Sequence, residues 1–282
     1  EFSVNDESTE HFKETYEGLV RKILGAAWNP AVLLVHNVFY HNGANAQVMH
    51  AAIGRHYDLP SVSMQNSIYP EVVAGRIENR AITPDDLHPN DEGHALVASV
   101  ITYFLEQVRS GKLTGSNASF ALGAKLPVPL TKNAYEDSVR IRNAAAPDMA
   151  GLQQPTLDGF TPDETAQNEI TDCFRYGWTA KKTGDAITFL VEGSCIAVQY
   201  RKSVKLPAPV ALAVVDDDTE HAVRLDANFD ETWGDKLELA TLLEHGKEGR
   251  HIVTIRLAET HEDDAVPFYL VSVIATGRRG RD

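Results

Sequence analysis

The chain has 282 residues, 43 % of them hydrophobic, enough to bury a sizeable core and better suited to two modest domains than to one. Its formal net charge of −14 argues against nucleic acid or an anionic membrane as the main partner, and fits a soluble protein acting on a neutral substrate. Two cysteines, Cys173 and Cys195, exclude a disulfide framework and a Cys-based zinc site, leaving one disulfide or two reduced thiols, and no apolar run reaches membrane-spanning length.

The opening stretch EFSVNDESTE has no basic region and no signal-peptide core, and SVND reads as the end of a strand followed by a turn. That pattern carries the expectation of a segment upstream. From Thr9 to Leu24, Phe12, Tyr16, Leu19, Val20 and Ile23 recur at helical spacing, with Ser8 or Thr9 as the cap. AVLLVHNVF (31–39) is the unbroken apolar run expected of a parallel strand buried on both faces. A turn and a second helix come next, with Val48, Ala52, Ile53 and His56 or Tyr57 on one face, then a short strand at 61–64. A last helix starts near Asp91, runs to about Val108 and stops at Ser110-Gly111. This alternation predicts a parallel sheet, although two strands make a thin one.

Beyond Gly111 the texture changes to a connector rich in Gly, Ser, Pro and Ala. KNAYEDSVRIRNAA is expected to form a short helix, and DGFTPDETAQNEITDCFRYGW to be irregular. Seven period-2 or β-branched runs come after it, at 186–192, 194–200, 209–218, 221–226, 236–243, 251–258 and 268–277. Short strands without intervening helices predict an all-β sandwich. The expected organisation is an α/β segment over 1–110, a connector over 111–130 and a β-sandwich domain over 131–282.

Chemistry is densest in TPDDLHPNDEGHALVA (83–98). Asp85 lies three residues before His88, and Pro89 keeps His88 out of helical geometry. Such a loop lets a carboxylate accept from imidazole Nδ1, leaving Nε2 as a general base. The plainer alternative is a helix start capped by Asn90 or Asp91, with an ordinary loop histidine. In SVND, the Asn5 amide can be aimed into the cleft at a strand's C-terminal edge, where it could stabilise an oxyanion; the alternative is a simple turn former. His36 and His41 have no ligand spacing with Asp85 and His88 that argues for zinc, and the DDD (216–218) and EDD (262–264) runs lack the spacing of a calcium loop. His94 reads as a packing or capping residue. Trp178 and Trp233 could stack on a sugar face or fill the core.

Taken together, Val-Asn-Asp, the α/β alternation and Asp-x-x-His-Pro leading into a helix resemble the SGNH, or GDSL, hydrolase family over residues 1 to 108. The resemblance implies the C-terminal half of a flavodoxin-like three-layer α/β sandwich, with Asn5 as oxyanion donor, His88 as catalytic base and Asp85 as its orienting acid. The family's usual glycine two positions before this Asn is Ser3 here. Its nucleophilic Ser and oxyanion Gly precede the Asn block, so both are expected on an N-terminal segment, whether in a longer chain or in an associated fragment. Downstream, Gly184-Asp185 is followed by Ala186, and Ser194 is followed by a β pattern instead of the helix a nucleophile turn requires. The β region resembles the jelly-roll modules of SGNH carbohydrate esterases. These resemblances imply a cofactor-free, metal-free serine esterase that deacetylates a carbohydrate, with a small-molecule or oligosaccharide ester as partner. The sequence leaves the compartment open, with the cytoplasm favoured over secretion. The rival expectation is a non-catalytic carbohydrate-binding or structural protein on a degenerate hydrolase scaffold.

Overall fold

The computed structural model describes residues 1–113, 125–146, 149, 153–164 and 173–277, and the chain divides into two compact units, Glu1–Glu136 and Asp137–Asp282.

In the first unit, helix α1 (Glu10–Leu24) starts where Thr9 Oγ1 accepts the Phe12 N–H, with Glu10 in the first turn and Arg21 and Lys22 in the last, complementing the helix dipole. Its buried face is unusually polar. Arg21 Nε donates to Glu136 Oε2 at 2.7 Å and Nη1 to the Pro127 carbonyl at 2.7 Å. Tyr57 Oη donates to Glu17 Oε1 at 2.6 Å, and Glu17 also accepts the N–H groups of Leu130 and Thr131. These bonds strap residues 127–136 across α1 inside the first unit. Gly18 permits the approach, since a Cβ there would lie 2.8 Å from the Tyr135 carbonyl carbon.

Strands β1 (Leu34–His36) and β2 (Ser61–Ser63) pair in parallel, Val35 opposite Val62. The long strand expected over 31–39 shrinks to three residues. Val38 and Tyr40 are buried, but Phe39 N–H donates to Ala44 O and Tyr40 N–H to Asp86 O, so loops take the backbone bonds that a ladder would have used. SVND likewise is a turn instead of a strand end: the N–H groups of Asn5 and Asp6 both return to Phe2 O at 3.0 Å.

Helix α2 (Gln47–His56) buries His50, Ile53 and Gly54 and is followed by the buried Tyr57, whereas Val48 is 81 % exposed; the buried face is rotated from the one expected. Helix α3 (Met64–Val73) lies where no helix is expected, starting on Ser63 and carrying Pro70 inside. The short α4 (Asn79–Ile82) leads to the loop ahead of α5 (Asp91–Arg109), whose cap is Asn90. Val38, Tyr40, Val62, Met64, Ile68 and Ile82 form one core cluster, against which Leu96, Val97, Val100, Ile101 and Phe104 of α5 pack.

The second unit is a pair of antiparallel sheets. Its strands are β3 (Val139–Ile141), β4 (Thr156–Asp158), β5 (Thr161–Pro162), β6 (Trp178–Ala180), β7 (Ala186–Gly193), β8 (Cys195–Lys202), β9 (Val210–Val215), β10 (Val223–Asp226), β11 (Lys236–Leu243), β12 (Gly249–Glu259) and β13 (Phe268–Thr276). They order as β10-β9-β12-β7-β4 and β11-β8-β13-β6-β5, with β3 also pairing β13. All seven expected runs are strands. The helix expected in KNAYEDSVRIRNAA is instead a set of turns followed by β3, because residues 139–141 find ladder partners at Val273–Ala275. DGFTPDETAQNEITDCFRYGW contains β4's end, β5 and β6's start; its residues 165–172 lie outside those described. The core between the sheets is apolar, led by Trp178, Phe189, Ile187, Ile255 and Phe268. Trp178 is thus a core residue, whereas Trp233 is 66 % exposed. Cys195 is a buried thiol whose Sγ accepts the His245 N–H at 3.3 Å.

Candidate active site

The loop between α4 and α5 is held at both ends. Asn90, the cap of α5, accepts the Gly93 N–H at 3.0 Å while its own N–H donates to Ile82 O at 3.0 Å and its amide to Ala81 O at 2.9 Å. Gly93 is required here: a Cβ would lie 2.2 Å from Ile82 O. In the middle of the loop, Asp86 sits at a positive φ of 74°, bonded to Asn79 and, at 2.9 Å, to Arg80, and its carbonyl accepts the Tyr40 N–H at 2.8 Å.

That backbone folds Asp85 onto His88. Asp85 Oδ1 accepts the N–H groups of Leu87 at 3.1 Å and His88 at 2.8 Å, and Oδ2 accepts from His88 Nδ1 at 2.6 Å. The His88 bond, with the two backbone donors behind it, holds the Asp85 carboxyl well below the usual carboxylate range. An ionised Asp85 fixes the proton on Nδ1, and Nε2 then presents its lone pair outward. The His88 side chain is 76 % exposed, and among the described residues Nε2 has no hydrogen-bond partner. This is the arrangement a general base needs: an oriented tautomer and an accessible nitrogen.

Asn5 is exposed in its turn at the start of the first unit. The turn is tied to α2 on both sides of Asn5. Ser3, fully buried, accepts the Ala46 N–H on its carbonyl at 2.6 Å, and its hydroxyl lies 3.0 Å from Asn37 O. Asp6 Oδ2 accepts from His50 Nε2 at 2.9 Å. Asp85 and His88 are thus joined directly, while no hydrogen bond among the described residues links Asn5 to them.

Several titratable groups lie near this turn, and two of them, Asp6 and His50, have no local signature in the sequence. Burial pushes His50 down to about 4 and Asp6 up to about 6, with Glu1 also raising Asp6, so a neutral imidazole donates to a carboxylate at neutral pH. The Tyr16 ring stacks on His50 at 3.7 Å between centroids. His36, 1 % exposed and with both ring nitrogens unpartnered among the described residues, is likewise held down to about 4 by burial and by nearby His50.

Other candidates separate. His36 is buried and His41 exposed, and among the described residues no group of three or more His, Cys, Asp and Glu could hold a metal. His94 is exposed on α5, so it is not a packing residue. Ser194 occupies the hairpin between β7 and β8, with its N–H on Thr276 O at 2.9 Å, and no helix follows it.

Two crystal structures of a two-domain esterase (CEX) active on acetylated mannans align with the chain. One has 64 % identity and a TM-score of 0.90, over 99 % of this chain and 72 % of that one. The other, co-crystallised with mannopentaose, gives 64 % identity and a TM-score of 0.89 over the same shares, 99 % and 72 %. A family two carbohydrate esterase from Cellvibrio japonicus overlaps 50 % of this chain and 34 % of its own at 17 % identity and a TM-score of 0.34, too little to argue from. No family model and no curated protein matches the chain.

Proposed function

The chain belongs to the family of two-domain carbohydrate esterases, and from that premise we propose that it is the His- and Asp-bearing part of an SGNH-type serine esterase that removes acetyl groups from a mannan-like polysaccharide. The observation that carries this reading is the Asp85–His88 pair, with Nδ1 fixed at 2.6 Å from a carboxylate and Nε2 open to solvent. In this reading the pair serves a nucleophile, a serine on a segment N-terminal to Glu1.

In the proposed reaction, His88 Nε2 accepts the serine proton as Oγ attacks the acetyl carbonyl carbon. The C=O π electrons move onto oxygen, and the Asn5 amide donates to the resulting oxyanion. Collapse breaks the bond to the sugar oxygen, which takes the proton from His88 and leaves as an alcohol. Water then attacks the acetyl-serine with His88 again as base, releasing acetate and restoring the serine. Asp85 remains ionised throughout and compensates the imidazolium. The reaction needs neither metal nor organic cofactor, and a net charge of −14 suits a neutral polysaccharide better than an anionic one.

The test is His88→Ala in the full-length protein, assayed by acetate release from acetylated mannan oligosaccharides. General-base removal should lower kcat by about 100- to 10,000-fold. A kcat within about threefold of wild type would remove His88 from the mechanism.

A further inference from the structure

The Asn5 amide can act on an oxyanion only if its turn is fixed, because a donor displaced by about an ångström loses most of its electrostatic effect. Asn5 is exposed and has no side-chain partner of its own among the described hydrogen bonds, so its placement must come from its neighbours. Two of the bonds that hold them run to α2. On one side the Ser3 carbonyl takes the Ala46 N–H at the start of α2. On the other, Asp6 reaches inward to His50, one helical turn further along the same helix, at 2.9 Å.

We propose that His50 is a positioning residue for the ester hydrolysis, holding the Asn5 amide in place through its hydrogen bond to Asp6. The inference rests on the reading of Asn5 as oxyanion donor. Three observations support it. His50 is fully buried and clamped against Tyr16 at 3.7 Å with the rings 10° from parallel, so its Nε2 is a rigid anchor. His50 Nδ1 is buried without a partner among the described residues, which puts the proton on Nε2 and makes Asp6 the acceptor. The Asp6 side chain is 13 % exposed, and a carboxylate withdrawn that far from water is kept only where its one strong donor holds it. The bond therefore fixes the residue next to Asn5 and leaves Asn5 itself free to face a substrate.

A double-mutant cycle in the full-length protein separates this role from a merely structural one. With 4-nitrophenyl acetate as substrate, Asn5→Ala should lower kcat by about 100-fold, the usual effect of deleting one oxyanion donor. His50→Leu should lower kcat by about tenfold with KM within about twofold of wild type, and His50→Gln, which returns an N–H near the Nε2 position, should recover most of it. In the Asn5→Ala background, His50→Leu should cost nothing further, because its effect passes through Asn5. If His50→Leu fails to fold, Asp6→Ala reads the same bond from its other end. Equal losses from His50→Leu with and without Asn5 would overturn the positioning role while leaving the oxyanion reading intact. A wild-type kcat for Asn5→Ala would overturn both.

Discussion

His36 makes the first unit acid-labile. The ring is 1 % exposed at the end of β1, has no partner for either nitrogen among the described residues, and is pushed from 6.5 to about 4 by burial. A group with a depressed folded-state pKa contributes stability that is complete above its unfolded pKa and lost as pH falls towards the folded one. For a shift from 6.5 to about 4, acidification from pH 7.5 to pH 5 removes about 2 kcal/mol through His36 alone. His50 carries a shift of the same sign, but Asp6, raised to about 6, gains stability over the same interval, so the two effects in that pair oppose each other. The substitution His36→Leu removes the titration and two buried polar atoms together. Hydrogen exchange of peptides covering α1 and β1 at both pH values, corrected for intrinsic rates, reads the difference. Wild type should lose about 30-fold in protection beyond the loss seen in the variant. Equal pH dependence in the two proteins would refute the assignment.

Three further outcomes are expected. Asp85→Asn should lower kcat by more than about tenfold yet by less than His88→Ala, because the amide can still accept from Nδ1 without balancing the imidazolium charge; steady-state acetate release decides it. Gly93→Ala forces a Cβ to 2.2 Å from Ile82 O and should shift the Asp85–His88 loop, costing about 1–3 kcal/mol in urea unfolding together with most of the activity. Unchanged values would show that the close approach is dispensable. Glu136→Leu strands the Arg21 guanidinium, bonded to it at 2.7 Å in a site where both side chains are under 10 % exposed, and should destabilise the first unit by about 3 kcal/mol. A loss below about 1 kcal/mol would mean that Tyr57 and the Pro127 carbonyl satisfy Arg21 without it.

How much of the fold is legible in the sequence depends on how local each feature is. The helix α1 and its Thr9 cap are legible because spacing and cap lie within a few residues. The strand β11 is legible residue for residue as KLELATLL, and the other long strands nearly so. Apolar runs mislead when burial and pairing part company: Val38 and Tyr40 are buried in a loop whose bonds go to Ala44 and Asp86. Helix α3 is hidden by Pro70, which reads as a breaker yet stands inside the helix, beyond its first turn. β3 is set by its register with β13, far along the chain, and three residues offer no periodicity to read. Near the candidate site the same division holds. The Asp85–His88 bond spans three residues and is visible as Asp-x-x-His-Pro, whereas the Asp6–His50 bond joins a turn to a distant helix and leaves no local signature.

Whether His88 activates a serine can be read from a denaturing mass spectrum of the full-length protein after treatment with a fluorophosphonate probe, with His88→Ala run beside it. One adduct is expected, on a serine N-terminal to Glu1, and little or none in the His88→Ala protein, because the serine is activated only through that imidazole. An adduct on Ser194, or a hydrolytically active protein that takes up no probe, would contradict the proposed esterase mechanism.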